Sequence, residues 1–565
     1  MLQKRKKALE FCGSMMISAL VFLIIYKFIP IVYATNDDRM IAEIISGQFT
    51  GKPEGYAIQM SYGFTWFLSK LYELTRSLNW YGIILICAQI FSFGAILYRL
   101  QSFTEKIVNK LILALAAIGL FVAFWLKVYV QMTYTSTAAF VGLAAIFWYA
   151  TSKTNWKNLL MVGILANLAF CIRPNVFYML IPSTGLVYLW KLIGKKERKK
   201  LTITAPFMIL AVTACLFFVN ASAYSADGWK EFMKFFDDRT QIYDYYDLAS
   251  FEEHPELYEP YGIDKTGYDM IRVYNYTTMG DTPKEFFPEY IQAYEKMEDA
   301  EGITFFTKSA NAVKTFVKDV CSNEYGVENT LLFIAAAVLF VVLFLKKNYF
   351  LAIYLTVQCG ANVVLWLYFT YWERAIDRIQ ISMSLMFLAV ILHVLVELCA
   401  EGTEEAGGQQ KIPLAAMLVL GGIFVFAGSN FLKFRYENID KANRYQDVQT
   451  IKEYCAEHPE RLYYMDVASM TELYGRVIIG NTEPEYINYI QLGDWSAYCP
   501  HYEEKLKNHG VENIAQSITD DNTYVIMLHN YQVQCMKDYL GVEEHWVETI
   551  FGANDQVYAV YQFTK

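Results

Sequence analysis

Two adjacent carboxylates, Asp37 and Asp38, stand in TNDDRMIAEIISGQFTGKPEGYAIQMSYGF, residues 35 to 64, directly after an apolar run long enough to cross a bilayer. At such a boundary partial burial raises a carboxylate's pKa, whereas a neighbouring cation holds it ionised and able to accept a proton. A structural role competes with this chemistry. Thr35 followed three residues later by Asp38 resembles a capping box, and acids in a first helical turn are favoured by the helix dipole. Neighbouring residues project about 100° apart on a helix, so one acid can cap while the other faces the bundle.

Arginines supply the complementary charge. Arg173, in CIRPNVFYML, falls where one apolar run ends and Pro174 begins the next. Arg374 and Arg378, in YWERAIDRIQ, lie at another boundary with Glu373 and Asp377 interleaved. Guanidinium groups hold phosphate bidentately and stay charged when part-buried. The alternative is that Glu373 and Asp377 merely neutralise them, or that Arg173 reaches lipid headgroups. His458, His501, His509, His529 and His545 show no HxxxH or HExxH spacing, so no metal ligand is assigned. Six of the ten cysteines fall inside apolar runs, and Cys321, Cys455, Cys499 and Cys535 have no CxxC spacing.

The elements that must carry these groups are set by composition. Of 565 residues 55% are hydrophobic and 19% charged, with the apolar residues in long runs, the signature of a polytopic membrane protein. Basic residues cluster on one side of the membrane and acids fill the loops on the other, so the net charge of -9 says little and a nucleic-acid partner is not expected. Lys4, Arg5, Lys6 and Lys7 precede a first run at 11 to 34, which reads as a retained helix with its N-terminus inside. Further spans are expected near 80 to 100, 111 to 130, 133 to 151, 158 to 173, 175 to 193, 201 to 223, 330 to 345, 349 to 370, 376 to 399 and 412 to 430, eleven in all. Lysine-bearing and arginine-bearing loops, among them KLIGKKERKK, return to the starting side in four successive cases, as the positive-inside rule requires. EGTEEAGGQQK, at 401 to 411, should be inside yet has a single lysine.

Residues 1 to 430 thus form a membrane domain with outer loops at 35 to 79 and 224 to 329, followed by an outer domain at 431 to 565. In the first loop, Met40, Ile41, Ile44 and Ile45 share one helical face, and FTWFLSKLYELTRSL repeats the pattern. Two amphipathic helices along the outer membrane surface fit this spacing. The second loop is rich in Tyr, Asp and Glu, which suits sugar binding and equally an interfacial belt. In the tail, helix-like DVQTIKEYCAEHPE is followed by strand-like LYYMDV, TYVIMLHN and QVYAVYQF, a small α/β domain. Asn275-Tyr276-Thr277 matches a glycosylation sequon, a triplet common by chance.

The NDD acids beyond the first span, the flanking amphipathic segments with SGQFTG, the boundary arginines and the outer tail together resemble the GT-C superfamily of integral-membrane glycosyltransferases, such as the protein O-mannosyltransferases and lipid A aminoarabinose transferases. The resemblance implies a mainly α, polytopic helix bundle with a C-terminal extracytoplasmic α/β domain in a cell membrane. It implies a polyprenyl-phosphate-linked sugar donor and a glycan, lipid or protein acceptor. Asp37 would be the general base with Asp38 assisting or capping, although relatives with Asp-Glu at this loop leave open which acid is the base. Arg374, Arg378 and Arg173 would hold the donor phosphate. No cofactor is certain, a divalent cation being the one considered. Other readings of the same chain are a flippase or transporter for lipid-linked saccharide, a polysaccharide polymerase or ligase, and a non-enzymatic envelope scaffold that presents the tail; paired repeats and glycine-broken midplane segments, expected of transporters, are not evident, and a scaffold leaves the first loop unexplained.

Overall fold

The computed structural model describes the chain apart from Met1, Arg198, Asp247, residues 406–413, Tyr474, Thr482 and residues 553–555. The fold is mainly α-helical, a polytopic bundle with a sheet-containing C-terminal part. Eight helices among the described residues are long and apolar enough to cross a membrane, from Arg5–Phe28 to Asp377–Cys399. The other three expected spans correspond to the helices Tyr134–Thr151 and Trp156–Ile172 and to the start of the helix Leu414–Glu457. Of the expected inner segment 401 to 411, residues 401–405 extend the helix Asp377–Glu405, and the rest lies outside the described residues.

The bundle is built around the helix Tyr134–Thr151, buried from Tyr134 through Ala150 and packed against Asp377–Glu405, Trp156–Ile172, Trp80–Gln101 and Pro174–Leu189. Its small residues Ala138, Ala139, Gly142, Ala144 and Ala145 permit this enclosure, since small side chains let helix backbones approach closely. A Cβ at Gly142 would stand 2.5 Å from Leu180 Cδ2.

Two expected spans end earlier in the structure, and both breaks matter. The first helix, Leu2–Phe28, stops before Pro30, which lacks a donor and disfavours helix in the residue before it. The chain then forms β1 (Val32–Tyr33), parallel to β2 (Gln131–Met132). The expected span at 111 to 130 ends as Ile107–Phe124; after Trp125 a short helix, Leu126–Val130, leads into β2. These two strands tie the chain before Asp37 to the chain before Tyr134.

In the C-terminal part β3 (Leu462–Met465), β4 (Tyr489–Gln491), β5 (Thr523–Met527), β6 (Glu543–Phe551) and β7 (Val557–Thr564) form one sheet in the order β4-β3-β5-β7-β6. β3 is parallel to β4 and β5, whereas β7 is antiparallel to β5 and β6. The expected strands are β3, β5 and β7; the short β4 and the exposed β6 carried no clear alternation. The 44-residue helix Leu414–Glu457 runs from the apolar bundle into this unit, so position 431 falls inside a helix.

The C-terminal part shares a hydrophobic core with both long loops. Main-chain hydrogen bonds fasten it: Ile487 N–H to Gln48 O at 3.0 Å, Asn79 N–H to Ile479 O at 2.9 Å and Thr277 N–H to Leu492 O at 3.1 Å. Two expectations change as a result. The helix Asn36–Ser46 does not lie along a membrane surface, because Asp38, Arg39, Glu43 and Ser46 of its polar face are buried together with its apolar face. Tyr258, Tyr276 and Tyr290 of the second loop are fully buried core side chains. Asn275 is buried too, its amide donating to Gln532 Oε1 at 2.9 Å, so the sequon triplet is part of the packing.

Candidate functional site

Both acids sit in the first turn of the helix Asn36–Ser46, and the residue just before it, Thr35, is extended at φ -134° and ψ 153°. The helix ends at Gly47, where φ is +89° and a Cβ would stand 2.5 Å from Lys52 C, a position that only glycine fills without displacing the loop. The helix dipole favours negative charge at this N-terminus.

The two carboxylates have different surroundings. Asp38 is fully buried. Its Oδ1 accepts from the Tyr81 hydroxyl at 2.7 Å and the Tyr134 N–H at 2.9 Å, and its Oδ2 accepts from the Thr35 hydroxyl at 2.9 Å. The capping box therefore does not form: the Thr35 hydroxyl bonds to the acid and makes no side-chain cap. Burial pushes the Asp38 pKa up to about 7, against the pull of these three donors.

Asp37 keeps 13% of its side chain exposed. Its Oδ2 lies 2.9 Å from Arg378 Nη1 and 3.4 Å from the Tyr134 hydroxyl. Arg378 stands in the first turn of the helix Asp377–Glu405. It pairs with Asp37 across 341 positions of sequence rather than with its neighbour Asp377. Asp377 instead meets Lys127, on the short helix that follows Trp125, at 2.7 Å.

The other two arginines approach from further out. Arg374 pairs with Asp244 of the second long loop at 3.1 Å and lies 5.9 Å from the Tyr245 ring centroid. The preceding Glu373 takes a positive φ of 53° in the short link between two helices, which turns the chain sharply just before Arg374. Arg173 caps the start of the helix Pro174–Leu189, donates to Gln59 O at 3.0 Å and sits 5.1 Å over the Tyr134 ring. Burial raises the Tyr245 phenol, and the charges of Arg374 and Arg173 both oppose that rise. Tyr134 and Tyr245 thus bring the arginines into one neighbourhood, with Arg378 alone bonded to an acid of the NDD motif.

Beside Arg378 opens a cavity of about 310 Å³ lined by Thr35, Thr133, Ser136, Lys127, Gln131, Asp377 and Arg378 with apolar neighbours. Its size is at the lower end of ligand clefts, and it joins two cations to three hydroxyl groups. Lys127 is the functional candidate that sequence reasoning missed. It lies inside the apolar stretch expected to span, and a lone lysine within such a run was the available signal. Among the described residues a potential metal-ligand group occurs elsewhere, at Glu54, His501 and Glu504.

No family model matches the sequence, and no curated protein matches it. Among solved structures the chain is similar to the crystal structure of ArnT from Cupriavidus metallidurans bound to undecaprenyl phosphate, with 11% sequence identity, a TM-score of 0.46 and 97% of each chain covered.

Proposed function

We propose that this multi-pass membrane protein is a GT-C-type glycosyltransferase that moves a sugar from a polyprenyl-phosphate donor to a hydroxyl of a cell-envelope acceptor on the outer face of the membrane. The observation that carries the reading is the part-exposed Asp37 carboxylate paired at 2.9 Å with Arg378, a cation that lines a cavity together with Lys127. Asp37 is the general base. It takes the acceptor hydroxyl proton as the acceptor oxygen bonds to the anomeric carbon, and the bond from that carbon to the phosphate oxygen breaks with its electron pair remaining on phosphate. The configuration at carbon inverts. Arg378 and Lys127 stabilise the charge that grows on the phosphate, with Arg374 and Arg173 flanking; fixed cations aimed at developing charge are an effective form of catalysis. Asp38, sealed and held by three donors, orients the turn that carries Asp37.

The test is donor cleavage. Full-length protein in lipid nanodiscs is given a panel of radiolabelled polyprenyl-phosphate sugars and a membrane extract as acceptor, alongside Asp37→Asn. Label leaving the lipid with wild type and not with the variant supports the reading and identifies the sugar. Label that stays on the lipid and changes leaflet makes the protein a flippase. Turnover by both forms removes Asp37 from the role of base.

A further inference from the structure

We infer that Glu54, His501 and Glu504 form a binding site for a divalent first-row cation of the zinc class, fastening the first long loop to the C-terminal domain. One ligand atom from each residue lies within 4.8 Å of the other two. His501 and Glu504 are three residues apart on the helix Pro500–Asn508 and so share a face. Glu54 arrives from a distant part of the chain, its own N–H bonded to Ile44 O at 3.2 Å in the last turn of the helix that begins with Asp37 and Asp38.

A second, independent observation points to a ligand. His501 is 6% exposed, and its Nε2 is buried with no hydrogen-bond partner. A buried ring nitrogen without a partner is costly in a native protein and calls for an unseen one. The ring is held edge-on by Trp229 and Tyr56, at centroid distances of 5.0 and 5.7 Å, and those two rings stack on each other at 4.3 Å.

One imidazole with two carboxylates selects the metal class. Calcium and magnesium take oxygen ligands, whereas zinc accepts nitrogen and oxygen together at bonds of about 2.1 Å. Tetrahedral bonds of that length place ligand atoms about 3.4 Å apart, within reach of small rotations of two glutamate side chains. Three protein ligands leave one position for water. Lys52 is the competitor. Its Nζ lies 2.9 Å from Glu504 Oε1 and 3.9 Å from Glu54 Oε1, but its side chain is 61% exposed, and exposed ion pairs hold weakly.

The experiment uses full-length protein in nanodiscs, stripped with EDTA and titrated with Zn²⁺, Mg²⁺ or Ca²⁺, following bound metal by mass spectrometry and the unfolding temperature. Wild type should rebind one zinc per chain and unfold at a higher temperature, and magnesium and calcium at equal concentration should do neither. Glu504→Gln, which keeps size and shape, should weaken zinc binding by about tenfold or more. Lys52→Ala, which removes the competing cation, should bind zinc at least as tightly as wild type. His501→Ala should lose the site, but it also unpacks Trp229, so Glu504→Gln decides. Zinc that rebinds equally to Glu504→Gln, or an unfolding temperature indifferent to zinc, overturns the assignment and leaves Lys52 and Glu504 as a surface ion pair.

Discussion

At one end of the helix Asn36–Ser46, Asp37 meets Arg378 with side chains 13% and 26% exposed; about two turns on, Glu43 meets Lys452 with side chains 2% and 1% exposed. The second pair sits in a dense polar network. Lys452 Nζ lies 3.0 Å from Glu43 Oε1, 2.6 Å from Glu483 Oε2 and 3.2 Å from Gln48 Oε1, and the Tyr489 hydroxyl donates to Glu43 at 3.1 Å. Arg39, one turn before Glu43, donates to Met470 O at 3.2 Å and Leu473 O at 3.3 Å. Charges sealed this way can hold a domain in place, because removing one partner strands another away from water. At the Asp37 end Arg378 and Lys127 line a cavity of about 310 Å³, whereas the one lined by Arg39, Glu43 and Glu483 is about 40 Å³. One helix thus carries two kinds of ion pair, a part-exposed one and a sealed network.

The largest effect expected is at the open end. Asp37→Asn should lower sugar transfer by about 10²- to 10⁴-fold, the range of general-base contributions, with little change in unfolding temperature. Transfer lost together with stability would make Asp37 another member of the closed network. Next comes the sealed end. Lys452→Met should destabilise the protein by about 3–5 kcal/mol, since part-buried Glu483 loses its cation and buried Glu43 keeps only Arg39 at 3.8 Å. Adding Glu43→Gln to it should restore part of that loss, which thermal unfolding in detergent would read.

Lys127→Met separates the two ends further. Loss of a charged contact to phosphate, worth about 1.5–3 kcal/mol, should raise the KM for donor by about 10- to 100-fold and leave unfolding unchanged. The smallest effect is the pH dependence carried by Asp38. Its pKa is raised in the folded state to about 7, so it contributes stability that is full below about pH 4 and lost as pH rises through 7. The slope is at most about 1.4 kcal/mol per pH unit. Asp494, raised by burial to about 6, adds a slope of the same sign, so the measure is wild type against Asp38→Asn. A difference that vanishes between pH 4 and 7 would mean that Asp38 stays ionised in the fold.

Much of this was legible one segment at a time. Long apolar runs marked the bundle, since a bilayer span of about 20 residues leaves an unmistakable trace. The NDD acids at the head of an amphipathic helix marked the loop worth attention. The strands β3, β5 and β7 showed as apolar runs between turns. Less visible was Lys127, because a break after Trp125 inside an apolar run has no glycine or proline to announce it. Pairing also escaped. Adjacent Asp377 and Arg378 invite a local ion pair, yet Asp377 reaches Lys127 and Arg378 reaches Asp37.

The sequence by itself determined the class of protein, the approximate spans and the identity of five charged residues at helix ends, because hydropathy and helix periodicity are local properties. Tertiary structure alone decided which of two neighbouring aspartates is sealed and which is open, since that depends on Tyr81 and Tyr134 arriving from other helices. It likewise decided that Glu54 meets His501 and Glu504. Burial and long-range charge pairing are set by which surfaces pack together, and no window along the chain contains that information.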